Sequence, residues 1–350
     1  MKPTVFLCSL LVGASPAHAQ SDWPDWRGPN GDGSLEKGSL TMEFSINQGM
    51  AWKTPLTGRG CSTPVVSKGL IFITAPVEGK DTLFAYDLEG KEKWRQSYGK
   101  ETPGRGQRVG SGANSSAATD GEVVVAYFKS GQVGACSHDG KKLWDVNLQE
   151  KFGEDKLWWD QGTSPILSQG IAVIAVMQTE GKSYLVAFDA KTGAVKWKTE
   201  RMFETGKESG DSYTTPHLLK IDGVDTVISY GADHITGHDL NSGKQLWYSG
   251  GINPDAKGMW RTIASSVVAD GIVVVPHGRG EWLMGLKAGG KGDVTKSRIL
   301  WRKKITNTDA ATPVARDGLV YVLVDRGKER GDGPMPGSQD RKRSLERGTP

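Results

Sequence analysis

The feature that most constrains the fold is a repeat of about fifty residues that ends each time in tryptophan. Five units close with LFAYDLEGKEKW, VGACSHDGKKLW, LVAFDAKTGAVKW, ITGHDLNSGKQLW and, with an insertion, LMGLKAGGKGDVTKSRILW. Trp52 stands 42 residues before the first closing tryptophan. A period of this length is typical of propellers and solenoids, in which each unit is one supersecondary structure. The closing residues are Trp94, Trp144, Trp197, Trp247 and Trp301.

Each unit also begins alike, and the pattern indicates four short antiparallel strands. Openings such as CSTPVVSKGLIFIT and GTSPILSQGIAVIAV show a small polar start, a strand, a glycine turn and a β-branched strand. A third strand contains a small residue near its end, and an Asp/Gly turn then leads to the strand with the tryptophan. The small residues are Ala85, Ala135, Ala187, Gly237 and Gly285.

A four-stranded sheet of this kind has two apolar faces and cannot bury both alone. Stacking copies in a ring buries each face against a neighbour. We expect the closing tryptophan to lie between adjacent sheets, where it buries roughly 200 Å², beside the space left by the small residue. The sequence therefore predicts an all-β fold, a β-propeller with about five complete four-stranded antiparallel blades and a partial one. A solenoid is the weaker alternative.

The repeat resembles a known family most clearly at AFDAKTGAVKW, which completes the pattern A-x-D-x-x-T-G-x-x-x-W. This pattern is similar to the pyrroloquinoline quinone (PQQ)-like propeller repeat of quinoprotein alcohol dehydrogenases and of BamB, the outer-membrane assembly lipoprotein. The resemblance implies a propeller of seven or eight blades in full-length relatives. The opening DWPDWRGPNGDG resembles the leader of exported PQQ-like repeat proteins. A WD40 propeller is disfavoured because only Trp144 is followed by Asp.

The N-terminus reads as a secretory signal peptide. Lys2 precedes a short apolar run, and Ala17 and Ala19 form a small-x-small cleavage site. The run is too short for a stable membrane span, and Cys8 lies inside it rather than at the cleavage point of a lipoprotein. We expect an exported protein, periplasmic or extracellular, without a transmembrane anchor. The expected division is residues 1–19 signal peptide, 20–50 leader, 51–326 propeller and 327–350 disordered tail.

The last repeat does not finish. Residues 310–326 open a sixth unit that never reaches its tryptophan. Some nucleotide sequences that encode MPGSQDRKRSLE would, if read one base later, encode C-L-D-x-K-T-G-x-x-x-W. This second reading is the missing end of a blade. Our hypothesis is that the tail is a frameshift product of a longer propeller. The strand carrying Trp52 would then lack its partners, and we expect reduced stability or aggregation from the open sheet edges.

Catalytic chemistry is not evident in the sequence. The resemblance implies, for a PQQ dehydrogenase, a quinone between a tryptophan and a vicinal disulfide, a Ca²⁺ site and an Asp base. The chain has no adjacent cysteines and no matching carboxylate set, so we expect no catalytic residues, no metal and no cofactor, PQQ included. Cys61 and Cys136 are more simply two small buried residues than a disulfide. The net charge is +4, of which residues 326–350 supply +3, and this balance argues against nucleic acid.

The remaining candidate is a binding surface. Segments that enter the innermost strands of a propeller gather around its channel, and here they are rich in Trp, Arg and Asp, the residues that often anchor interfaces. We expect a non-catalytic, BamB-like scaffold that binds an extended protein segment or another envelope protein. The alternative is a carbohydrate- or small-molecule-binding propeller, or a quinoprotein-like relative, that uses the channel mouth. The candidate residues are Arg59, Arg108, Trp158, Trp159, Asp160, Asp211, Tyr213, Trp260 and Arg261.

Overall fold

A computed structural model of the chain describes residues 22–35, 43–105, 110–305 and 309–323. The predicted signal peptide, the predicted tail and the candidate Arg108 lie outside these ranges. Within them, the strands form one antiparallel meander for each sequence repeat. Among the described residues five meanders have four strands and the sixth has two, which confirms the predicted fold class.

The six meanders are called blades 1 to 6 in chain order. Blade 1 contains β1 (Val65–Ser67), β2 (Leu70–Val77), β3 (Lys80–Asp87) and β4 (Glu92–Lys100). Blade 2 contains β5 (Ala118–Thr119), β6 (Val123–Tyr127), β7 (Gln132–Ser137) and β8 (Lys142–Asn147), followed by α1 (Leu148–Phe152). Blade 3 contains β9 (Ile166–Ser168), β10 (Ile171–Val176), β11 (Tyr184–Asp189) and β12 (Val195–Glu200).

The later blades follow the same order with one elaboration. Blade 4 contains β13 (His217–Ile221), β14 (Val224–Gly231), β15 (His234–Asp239) and β16 (Gln245–Ser249). Blade 5 contains β17 (Val267–Ala269), β18 (Ile272–His277), β19 (Trp282–Lys287) and β21 (Ile299–Lys304). Its insertion holds β20 (Gly292–Asp293), which pairs in parallel with β16 of blade 4, and α2 (Thr295–Arg298). Blade 6 contains β22 (Val314–Arg316) and β23 (Leu319–Tyr321).

The hydrophobic core is divided into layers between consecutive blades. One cluster joins blades 1 and 2, and others join blades 2 and 3, 3 and 4, 4 and 5, and 5 and 6. Among the described residues, no such cluster joins blade 6 to blade 1. The outer face of blade 1 is instead covered in part by Leu56. Each blade is therefore stabilised mainly by its neighbours in sequence, as expected for a repeat fold.

The closing tryptophans lie between one blade and the next. The indole N–H of Trp52 and of the first three closing tryptophans donates to a backbone carbonyl in or beside the last turn of the next blade along the chain, whereas the indole nitrogens of Trp247 and Trp301 have no acceptor in the described chain. Because these turns expose carbonyls that have no strand partner, the indole both fills the gap and satisfies a polar group. The bonds run from Trp52 to Leu88 (2.6 Å), from Trp94 to His138 (3.2 Å), from Trp144 to Ala190 (2.8 Å) and from Trp197 to Leu240 (2.8 Å).

Glycine and alanine make room for these rings. A Cβ on Gly193 would lie 2.6 Å from the ring of Trp144, and the φ of this glycine is +72°, so the position demands glycine on two grounds. Within its own blade, each closing tryptophan pairs across the strands with the predicted small residue, as Ala187 does with Trp197. A Cβ on Gly237 would lie 2.3 Å from the ring of its partner, Trp247. The small residue, the glycine and the tryptophan of the repeated A-x-D-x-x-T-G-x-x-x-W pattern are therefore explained by packing within and between blades.

Two expectations need correction, and the insertion of blade 5 interrupts the tryptophan pattern. Trp52 is not in a strand; its segment has no ladder partner among the described residues and lies against the last turn of blade 1. Cys61 is exposed, because it lies in the loop that opens blade 1, whereas Cys136 is buried in β7. The insertion of blade 5 replaces the usual tight turn, so the indole nitrogen of Trp247 has no acceptor in the described chain.

Candidate functional site

A belt of hydroxyl side chains joins the six blades. In every repeat the residue two positions before the innermost strand is Ser or Thr. In the first five blades the backbone N–H of this residue donates to the side-chain hydroxyl of its equivalent in the next blade, which explains the small polar openings in the sequence. We call these residues the hydroxyl belt. Its bonds run from Thr63 to Ser116 (2.9 Å), then to Ser164 (3.0 Å), Thr215 (3.0 Å), Ser265 (3.0 Å) and Thr312 (3.0 Å).

A cavity of about 290 Å³ lies on the axis of the ring. The residue two positions before each belt residue lines it in all six repeats, so equivalent positions converge on one space. These six residues all differ in type, although the belt residues beside them are all Ser or Thr. The residue type is therefore nearly constant at the position that bonds to the next blade, and it varies at the position that faces the axial cavity. The six lining residues are Cys61, Asn114, Gly162, Tyr213, Ile263 and Ala310.

One wall of the axial cavity carries the carboxylate of Asp160, which is held in an ion pair. The Asp160 carboxylate accepts a 2.5 Å ion-pair contact from the Lys129 ammonium and bonds of 2.8 and 3.0 Å from the backbone N–H of Arg105. The Arg105 guanidinium lies over the ring of Trp158, 4.6 Å from its centroid. Because Lys129 comes from blade 2 and Asp160 from the loop that enters blade 3, this contact also joins two blades at the cavity mouth.

The opposite charge comes from Arg261. Its guanidinium donates to Glu208 at 3.2 Å and lies 3.9 Å from the carboxylate of Asp309. It is one-eighth exposed, at 12%. Its Nε is buried and bonds to nothing in the described chain. An arginine held by carboxylates on two sides keeps a fixed position, and charge-assisted contacts of this kind favour recognition of polar ligands.

Aromatic side chains complete the mouth. Trp159 lines the cavity and is 43% exposed, and its backbone N–H donates to the phenol oxygen of Tyr213 at 3.2 Å. Trp158 is 57% exposed next to it. Burial raises the pKa of Tyr213 well above its usual value, so the phenol stays neutral and keeps its hydrogen-bonding proton. Two large exposed indoles beside a cavity are unusual on a protein surface and typical of a binding site.

Of the candidate residues, Trp159, Asp160, Tyr213 and Arg261 line the axial cavity. Trp158 lies at its mouth through the contact with Arg105. The others lie elsewhere or serve the fold. Arg59 is exposed and away from the cavity, Asp211 is buried and accepts from the backbone N–H of Thr179 at 2.7 Å, and Trp260 is buried against His277.

Sequence reasoning missed two important residues. Lys129 comes from the turn between β6 and β7, a segment that does not enter an innermost strand. Trp26 comes from the leader and lines both the axial cavity and a second cavity of about 230 Å³ deeper along the axis. Trp26 therefore forms the floor of the axial cavity. The DWPDW stretch that contains Trp26 was visible in the sequence, but nothing in its local pattern predicts that this residue lies in the channel.

The residues around the cavity do not match the set that the resemblance implies for a quinone dehydrogenase. Cys61 and Cys136 are free and belong to different blades, so no vicinal disulfide is formed by them. Burial raises the pKa of the Cys136 thiol to about 12. Across the described ranges, no three His, Cys, Asp or Glu side chains are grouped to hold a metal ion. No helix there is long and apolar enough to cross a membrane.

Comparison with family models connects this architecture to known proteins. The model described as outer membrane protein assembly factor BamB, a PQQ-like repeat model, matches residues 47–206 and 159–293. The two matches together cover more than half of the chain. The chain belongs to this PQQ-like propeller family. The family resemblance seen in the repeat is thereby confirmed. No curated protein is similar enough in sequence to count as a relative.

Solved structures agree on the fold. The chain is similar to quinohemoprotein alcohol dehydrogenase from Comamonas testosteroni, with a TM-score of 0.60 and 16% identity over 87% of this chain and 57% of that one. It is similar to a europium-containing methanol dehydrogenase, with a TM-score of 0.59 and 12% sequence identity over 85% of this chain and 60% of that one. It is also similar to BamB from Moraxella catarrhalis, with a TM-score of 0.50 and 17% sequence identity over 77% of this chain and 71% of that one. The chain spans less than two thirds of either dehydrogenase, and identities this low show the fold alone.

Proposed function

We propose that this protein is a non-catalytic binding scaffold of the cell envelope that captures an extended protein segment at the mouth of the axial cavity. The observation that carries the proposal is the pair of exposed indoles, Trp158 and Trp159, beside a cavity with one fixed carboxylate and one fixed guanidinium. Membership of a family described as an outer membrane protein assembly factor supports a protein partner. The scaffold would act after export, in the periplasm or outside the cell.

The composition of the mouth fits this role. Binding energy at protein interfaces concentrates in a few Trp, Tyr and Arg residues in preformed pockets. The backbone of Trp159 is held by its bond to Tyr213, so the main chain that carries the ring does not have to be ordered on binding. Asp160 is already paired with Lys129, and Arg261 with Glu208. Both lie on the cavity wall, where they would fix the register of a bound chain rather than supply most of its affinity.

The test uses labelled 12-residue peptides with alternating apolar and polar residues, the pattern of a transmembrane β-strand. Fluorescence anisotropy should show saturable binding to the full chain. Trp159→Ala should weaken binding about 30-fold or more, as expected for an interface hot spot of about 2 kcal/mol. Leu300→Ala is the control, since Leu300 is 50% exposed on the outermost strand of blade 5. Equal weakening by both variants, or no binding, would contradict the proposal.

A carbohydrate is the second candidate ligand. The observation that favours it is the combination of Trp159, Tyr213 and the amide of Asn114 with belt hydroxyls in one cavity of about 290 Å³. Indole faces stack on sugar rings, while hydroxyl and amide groups bond to sugar hydroxyls. A glycan array separates the two candidates. Binding to a glycan that Trp159→Ala abolishes, without peptide binding, would replace the first proposal with this one.

A further inference from the structure

The predicted leader is described in one stretch from residue 22 to residue 35, and we use the name leader for this stretch, which enters the ring beside blade 1. Trp23 and Val66 form a two-bond bridge, with the N–H of each donating to the carbonyl of the other at 2.7 and 2.9 Å. The carboxylate of Asp22 accepts from the hydroxyl of Ser67 and from the backbone N–H of Lys68, both at 3.0 Å. Val66 lies in the innermost strand β1. The leader is therefore an added backbone partner on the channel side of blade 1.

From there the leader crosses the channel below the hydroxyl belt. The carbonyl of Pro24 accepts from the N–H of Thr119, at the end of β5 in blade 2, at 2.9 Å. Leader residues from Pro24 to Gly31 share the second cavity with residues of β9 in blade 3 and of β13 in blade 4. The leader is thus bonded to blades 1 and 2 and lies across the second cavity from the innermost strands of blades 3 and 4.

The leader ends against blade 6. The carbonyl of Asp32 accepts from the N–H of Ala315 in β22 at 3.2 Å. The Arg27 guanidinium donates to the carbonyl of Pro313, just before β22. Arg316 donates in turn to the carbonyl of Leu35. One segment of fourteen residues is therefore bonded to the two blades that are farthest apart in sequence.

We infer that the leader is an internal clasp that closes the ring between blades 1 and 6 and makes the axial cavity blind. Two features of the described chain leave a gap between blades 1 and 6 that the leader spans. The hydrophobic clusters stop at blade 1 on one side and at blade 6 on the other. The hydroxyl belt also has two ends, because the hydroxyl of Thr63 accepts no N–H in the described chain. Because Trp26 closes the floor of the axial cavity, any ligand must enter from the side of the hydroxyl belt.

The clasp has a rigid internal structure of its own. The N–H of Gly28 donates to the carbonyl of Asp25 at 3.2 Å, and that of Gly33 donates to the carbonyl of Arg27 at 3.0 Å. Gly28 has a φ of +76°, and a Cβ there would lie 2.8 Å from the ring of Trp23. A methyl group at this position must displace the ring that stands beside the bridge to blade 1.

The test is hydrogen exchange of the full chain, read by mass spectrometry, for Gly28→Ala and a matched control. Gly170→Ala is the control because its φ is +70° and a Cβ there meets nothing within 4 Å. Both variants place an alanine at a positive φ and so strain the backbone equally, but only Gly28→Ala disturbs the clasp. We expect Gly28→Ala to speed exchange about tenfold or more in the leader, in β1 and in β22, because local opening sets the exchange rate. The control should leave β22 unchanged.

A second variant tests the far end of the clasp. Arg27→Met keeps an unbranched side chain and removes the guanidinium that donates to Pro313. Exchange should rise in β22 and stay unchanged in β1. Faster exchange of the leader alone, with β1 and β22 as slow as in the parent protein, would overturn the inference in either variant. Should Gly28→Ala fail to fold, the Arg27→Met result decides by itself.

Discussion

The hydroxyl belt permits a direct test of what holds the blades together. Thr215 is 6% exposed and accepts the N–H of Ser164, which is 2% exposed. Thr215→Val keeps the shape and the β-branching of the side chain and replaces the accepting hydroxyl with a methyl group. A buried N–H left without a partner costs about 1–3 kcal/mol. We therefore expect the free energy of unfolding to fall by about that amount.

The belt supplies its own control. Thr63 occupies the equivalent position in blade 1, but it is exposed and its hydroxyl accepts no N–H in the described chain. Thr63→Val is the same chemical change without the lost bond, and its effect should stay within about 0.5 kcal/mol. Urea unfolding at constant m value measures both variants. Equal losses of stability, or unchanged hydrogen-exchange protection of the Ser164 amide in Thr215→Val, would refute the reasoning.

Other groups give further predictions. Gly193→Ala should cost about 1–3 kcal/mol more than Gly170→Ala, since only the first displaces a packed tryptophan; urea unfolding compares them. Burial raises the pKa of Asp81 to about 7. Ionisation is therefore costlier in the folded state, and stability should decline as pH rises from about 4 to 8, by roughly 1.4 kcal/mol per unit of pKa difference. Asp81→Asn should remove that part of the slope. Cys61 should react with iodoacetamide in the native protein and Cys136 should not, as peptide mass mapping would show.

Much of the fold could be predicted because its signals are local and repeated. Strands, tight turns and the closing tryptophan follow from patterns within about fifty residues, and five copies of one unit make the pattern readable. The same repetition exposed the exceptions. The insertion in blade 5 was visible as extra residues before Trp301, although its pairing with blade 4 was not, since β20 bonds to a strand of another unit.

The candidate site was only partly predictable. Loops that enter innermost strands do converge on the axis, which is why Trp159 and Tyr213 were found. Asp211 comes from such a loop as well, but its carboxylate bonds to a backbone N–H within the fold. Which way a side chain points depends on what it packs against, and a list of residue types does not contain that information. Lys129 was missed because it reaches the site from a neighbouring blade.

The sequence by itself determined the repeat, the blade architecture and the family, because strand periodicity, turn chemistry and the tryptophan–glycine contact between successive blades act over short stretches of chain. Only the tertiary structure decided the hydroxyl belt, the axial cavity and the path of the leader. The guanidinium of Arg27 bonds to a carbonyl 286 positions away. A partner so distant in sequence is brought near only when the blades assemble around the leader, and no local pattern can specify it.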